Sequence, residues 1–272
     1  MFVPAGPQAG RMTTFSETDR VPDLSGFPGR RIGGAALVAA PLLWCAGLSL
    51  RHLALRGGAF TDAELRAFEA QPFMAASQLA AYAEAPLVAT AAQALFASGT
   101  MLLVLAFAAL ARLAAPASPR LATTGAVLIA LGLLARMYAV GVDATAFALV
   151  DDLGLGPATA TVTAVYADVS YGPWRVPVIA YFGQYTGVLL LAVGAHRSGV
   201  LGTGRTVLLL LWGSLWIGVL KEATLLDCAI AAAAAGLVFA PLGVRVLRRA
   251  VPYRAAGRGG APANTWSRLL SW

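Results

Sequence analysis

Residues 86–110 read PLVATAAQALFASGTMLLVLAFAAL. No charge interrupts the run, and about 20 apolar residues are enough for a helix to cross the ~30 Å hydrocarbon layer of a bilayer. The stretch is therefore a membrane span. Five more apolar runs follow the same reading, at 32–50, 121–142, 176–195, 206–220 and 226–244. The last two are joined only by residues 221–225, which predicts an antiparallel helical hairpin. The expected fold is an all-α integral membrane protein, a six-span helical bundle over 32–249. A flexible basic tail precedes it (1–31) and a basic tail follows it (250–272).

Composition agrees. Of 272 residues, 58% are hydrophobic and 12% charged, and the mean hydropathy is +0.72. A soluble domain is nearer a quarter charged, and a disordered chain needs low hydrophobicity, so both classes are excluded. The abundance of Ala, Gly, Arg and Pro, with Lys221 the single lysine, points to a GC-rich bacterial genome. The expected location is the bacterial cytoplasmic membrane.

The distribution of charge sets the orientation. With the N-terminus inside, the inner segments hold fourteen of the twenty basic residues, from Arg11 to Arg268. Ten of the thirteen acidic residues lie outside. By the positive-inside rule both termini are cytoplasmic. The net charge of +7 is thus topological. Contact between the inner arginines and anionic lipid is expected; nucleic-acid binding is not indicated.

Two outer segments are long. In 51–85, Thr61-Asp62-Ala63-Glu64 forms a capping box, which predicts a surface helix that Pro72 ends or kinks. Residues 143–175 are expected as a loop folded over the outer mouth of the bundle.

Polar residues gather at the outer membrane depth. Arg136 lies inside the third span, where an arginine costs roughly 2.5–3.5 kcal/mol and calls for a partner or a wet cavity. Asp143 follows two helical turns later on the same face. Glu84, Glu222 and Asp227 complete a set of four candidate acids. Gln93, Arg136, Tyr138, Trp174, Tyr181, Gln184, Tyr185 and Trp216 are the candidate substrate-binding residues, together lining one outward-biased pocket. Each also has a structural reading. Arg136 forms a salt bridge, Glu222 and Asp227 are solvated turn residues, and the tryptophans belong to an interfacial belt. The glutamines are interhelical hydrogen-bond glue.

Several chemistries are set aside. No histidine lies within the bilayer to ligate haem, and no lysine to carry retinal. No HExxH or Cys/His cluster appears, and no cofactor or metal is expected. Cys45 and Cys228 are buried thiols or, lying toward the same face, a bridge.

The layout, with Ala-Pro-Leu-Gly-Val-Arg at 240–245 and a basic tail, resembles small actinobacterial multi-pass membrane proteins of unassigned activity. It is also similar in size and helical character to the membrane-embedded terpene cyclases, which use carboxylic acids and an aromatic pocket without a metal. Their tryptophan–glutamate motif is not matched, since Ala81-Tyr82-Ala83 precedes Glu84, and they have seven spans. No catalytic residue is transferred. The second resemblance implies a metal-independent enzyme that cyclises or isomerises a lipophilic substrate, for example an isoprenoid, by protonating it. Burial can hold a carboxyl protonated near neutrality, and aromatic faces can stabilise a cation. Two other readings stand beside it. One is a non-catalytic accessory, immunity or lipid-binding protein with a membrane-lipid or protein partner, and the other is a small transporter.

Overall fold

The computed structural model describes residues 26–71, 74–171, 176–214 and 225–248. Every element among them is helical: α1 (Arg30–Arg56), α2 (Asp62–Glu69), α3 (Ala75–Glu84), α4 (Pro86–Ala114), α5 (Pro119–Leu153), α6 (Leu155–Tyr171), α7 (Val176–Arg197), α8 (Thr203–Ser214) and α9 (Leu225–Leu247). The chain is a helical membrane protein. Four described stretches are long and apolar enough to cross a bilayer: α1, α4, α5 and Ile230–Leu247 of α9. Helices α7 and α8 fall on the remaining two predicted spans, with residues 215–224 outside the described part. Both predicted tails lie largely outside it too, as does Pro72.

Neighbouring helices run antiparallel and pack closely through small residues. A Cβ on Gly99 of α4 would lie 2.7 Å from the Trp44 backbone nitrogen of α1, and one on Gly47 would lie 2.7 Å from that of Phe96. Between α5 and α7, a Cβ on Gly187 would lie 2.6 Å from the Gly125 carbonyl oxygen. Lipid tails are as apolar as leucine. Helices therefore gain from meeting only through close van der Waals contact, which small residues allow. Helix α9 closes on the other side of α1, with Gly243 against the backbone of Gly34.

This alternation sorts the charges. Arg30, Arg112, Arg120, Arg197, Arg205 and Arg245 come together at one end, called here the basic end. Arg51, Glu84 and Asp143 mark the opposite, acidic end. The core between them is aliphatic and aromatic, with Trp44, Phe107, Trp212 and Phe239 fully buried.

The structure differs from the expectation at the acidic end. The predicted surface helix exists as α2, with its capping box formed: Glu64 N donates to Thr61 Oγ1 and Thr61 N to a Glu64 carboxylate oxygen. A further helix, α3, follows it. The segment expected as a loop from residue 143 is helical as well. Helix α5 runs on to Leu153, and at 35 residues it is about 52 Å long, well beyond the hydrocarbon layer. Gly154, at φ +81°, breaks it, and α6 continues. The reason is a second apolar cluster. Ala146 and Val150, one turn apart, pack with Leu79 and Tyr82 of α3, Ala89 of α4 and Ala158 of α6. Tyr82 stacks on Phe147 at 4.5 Å and its hydroxyl donates to Asp151 at 2.7 Å. That bond and the adjacent negative charge raise the Tyr82 pKa, burial adding to the effect. Cys45 is half-buried in α1, and the Cys228 side chain lies outside the described ones.

Candidate functional site

An arginine on an apolar helix must find acceptors or water, and α1, α4, α5 and α7 supply two such arrangements in adjacent layers. In the first, Arg51 of α1 donates from Nη2 to Gln93 Oε1 of α4 and lies 3.5 Å from Asp143 Oδ2 of α5. Gln93, 7% exposed, uses its amide nitrogen on Asp143 Oδ2 and on the Val140 carbonyl, both at 3.2 Å. Gln93 therefore bridges α1 to α5, satisfied at both ends. The Asp143 carboxyl group thus accepts from both Arg51 and Gln93.

The second arrangement lies deeper. Arg136 of α5, 8% exposed, donates from Nε to Gln184 Oε1 of α7 at 3.0 Å. Gln184 is fully buried, and its amide nitrogen meets no acceptor among the described residues. The indole N–H of fully buried Trp212 on α8 meets none either.

Aromatic rings join the two. Trp44 stacks on Phe96 with centroids 5.5 Å apart, and lies 5.5 Å from Trp212. The Arg51 guanidinium sits 4.8 Å over Phe96, and that of Arg136 6.0 Å from Trp44, near the outer limit of a cation–π contact. The ring series continues through Phe107 to Phe239, each step between 5.1 and 5.3 Å. Two guanidiniums thus flank a buried aromatic pair, and the Arg136 layer is rich in donors.

Of the residues singled out in the sequence, the structure gathers Gln93 and Asp143 in one layer and Arg136 and Gln184 in the next. Tyr185 is half-buried beside Gln184 on α7. Glu84 is exposed at the end of α3. Tyr138 is 52% exposed on α5. Trp174, Trp216 and Glu222 lie outside the described residues, and so do the side chains of Tyr181 and Asp227. Arg136 donates to Gln184, and Asp143, one of the acids the sequence offered Arg136, accepts from Arg51.

Sequence reasoning named Trp212 as a pocket wall but missed Arg51, Trp44 and Phe96 as site residues. A signal was present for Arg51. Trp44, Leu48 and Arg51 stand at i, i+4 and i+7, one face of a helix, and Trp44 and Leu48 are both buried. Arg51 extends that buried face and is not a flanking surface charge.

Comparison with known proteins adds no relative: no family model, curated protein or solved structure matches the chain.

Proposed function

We propose that the chain is a six-span protein of the bacterial cytoplasmic membrane, with both termini inside, that binds a lipophilic molecule through an acceptor-bearing headgroup. The binding layer is Arg136, Gln184 and Trp212, against the Trp44 ring. The observation that supports it is the pair of fully buried donors, Gln184 Nε2 and Trp212 Nε1, that meet no acceptor among the described residues. Each such donor costs about 1–3 kcal/mol if left unmade, and a ligand carbonyl, carboxylate or phosphate oxygen beside Arg136 would offset that cost. The distribution of arginines supports the orientation.

This reading takes precedence over acid-initiated catalysis for one reason. Protonating an alkene needs a buried carboxyl without a cationic partner. Among the described side chains, Asp143 is paired with Arg51, and every other carboxylate, Glu84 included, is exposed. The enzyme reading then rests on Glu222 and Asp227 alone.

Mass spectrometry of the gently purified full chain tests the proposal. The wild type is expected to retain one class of acceptor-bearing lipophile, and both Arg136→Met and Gln184→Leu to lose it while the folded yield of Gln184→Leu is kept. Bulk phospholipid in the same ratio from all three proteins would sink the proposal and leave ordered water as the partner of the buried donors. A recovered lipophile converted to an isomer by the wild type, with conversion lost in Glu222→Gln or Asp227→Asn, would restore the enzyme reading.

A further inference from the structure

The basic end carries a second feature, independent of the layer above. Arg205, in the first turn of α8, is 7% exposed. It is the one buried guanidinium at that end among the described residues; Arg31, Arg120, Arg197 and Arg248 are exposed, and Arg30, Arg112 and Arg245 half-buried. Its neighbours find acceptors: Arg30 donates to the Leu247 carbonyl at 3.0 Å and Arg112 to that of Phe27 at 3.3 Å. Arg205 makes no hydrogen bond or ion pair among the described residues. Its charged neighbour is another cation, Arg245 in the last turn of α9. Burial, and then the Arg245 charge, lower its pKa from the usual arginine value.

The surroundings are well fixed. The α7–α8 turn is tight, with the N–H groups of Val200 and Leu201 both on the Ala195 carbonyl at 3.1 Å and Gly199 at φ +72°. Leu201 is buried at 1%. The turn holds the start of α8 beside α9. The first N–H groups of α8 have no intrahelical acceptor, and the helix dipole there favours an anion. No acidic residue of the described part lies at this end. Asp227, at the other end of α9, is 18 residues from Arg245, about 27 Å along the helix.

We propose that Arg205 and Arg245, with the first turn of α8, form a binding site for a phosphate-bearing anion at the basic end of the bundle. A buried, unpartnered guanidinium costs several kcal/mol, and its planar fork matches phosphate oxygens. The half-buried Arg245 and the α8 N–H groups would complete the cradle. The anion is either the headgroup of an acidic phospholipid in the adjoining leaflet or free phosphate.

The test uses the full chain in phosphatidylcholine nanodiscs, alone, doped with phosphatidylglycerol, or supplemented with inorganic phosphate. Thermal midpoints and lipids retained in native mass spectrometry are read for the wild type, Arg205→Met and the exposed control Arg197→Gln. Phosphatidylglycerol is expected to raise the midpoint of the wild type and of Arg197→Gln. Arg205→Met should bind it about ten-fold or more weakly, as the loss of a charge-assisted bond implies. In phosphatidylcholine alone Arg205→Met should be at least as stable as wild type, because an uncompensated buried charge has gone; that result separates lost binding from lost folding. A shift with phosphatidylglycerol only assigns the headgroup, and an equal shift with inorganic phosphate assigns the free anion. The proposal is overturned if Arg205→Met responds as wild type does. It is equally overturned if Arg197→Gln loses the response to the same extent, or if neither ligand shifts the wild type.

Discussion

Replacing Arg51 by methionine and Asp143 by asparagine, singly and together, tests whether the network across α1, α4 and α5 holds the acidic end together. The guanidinium–carboxylate separation is 3.5 Å, for which Coulomb's law at an effective dielectric of about 20 gives roughly 4.7 kcal/mol of attraction. The two side chains are 15% and 27% exposed, so water screens part of this and desolvation opposes more. A net coupling of about 2 kcal/mol remains. Arg51→Met also loses the bond to Gln93 and the contact over Phe96, which are worth about 1 kcal/mol each. The single change should cost about 3–4 kcal/mol. Asp143→Asn should cost about 2 kcal/mol, the coupling itself, because Gln93 can still donate to the new amide oxygen. The double variant should then fall short of the sum of the singles by about 2 kcal/mol. Reversible unfolding in mixed detergent micelles measures all four proteins. Additivity within about 0.5 kcal/mol would show that the two residues do not interact, and would remove the argument that Asp143 is held as an acceptor.

Further outcomes are expected at the helix contacts, at Tyr82 and at the α2 cap. Gly99→Ala should destabilise the α1–α4 contact by about 1–3 kcal/mol through overpacking. Gly141→Ala, where a Cβ meets nothing within 4 Å, should stabilise α5 by about 0.5–1 kcal/mol; unfolding midpoints of opposite sign check both. Tyr82→Phe should lose about 1 kcal/mol. Because the Tyr82 pKa is raised by Asp151, the contribution of that bond holds below the ordinary tyrosine value of 10.0 and disappears as pH climbs through the elevated one. Ultraviolet titration of tyrosinate should show one group moving toward the ordinary range in Asp151→Asn. The Glu64 carboxyl is held below its ordinary value of 4.5 by hydrogen bonds from the Thr61 backbone and hydroxyl. The capping box is therefore complete above that range and opens as pH falls through the lowered value. Protection of the α2 amides, corrected for the intrinsic exchange rate, should fall there in the wild type and lose this pH dependence in Glu64→Gln.

The spans of α1, α4, α5 and α9 were legible because hydropathy and length are properties of a contiguous stretch. Residues 86–110 announce α4 whatever surrounds them. The cap of α2 was legible for the same reason, since Thr61 and Glu64 answer each other three residues apart. The continuation of α5 past Asp143 was not. What keeps 143–153 helical is contact with Leu79 and Tyr82 of α3, which are remote in sequence from that stretch, and with Ala158 of α6 across the Gly154 break. Glu84 and Tyr138 looked like site residues from their depth alone. Depth along a helix is readable from the residue count, but the direction a side chain faces depends on which neighbour packs against it.

The same distinction separates the two arginine layers from the bundle that carries them. Helical membrane character, the sorting of arginines and acids to opposite ends, and the need of Arg136 for a partner all follow from residues close together in the chain. The pairing itself was decided in three dimensions. Arg136 and Asp143 share a face of α5, yet Arg136 turns to Gln184, 48 residues away, and Asp143 to Arg51, 92 residues away. Such a choice is a competition among acceptors brought within about 3 Å by the packing of α1, α4, α5 and α7. The small residues that let those helices approach set its outcome, because a buried charge takes the partner that close packing puts in reach.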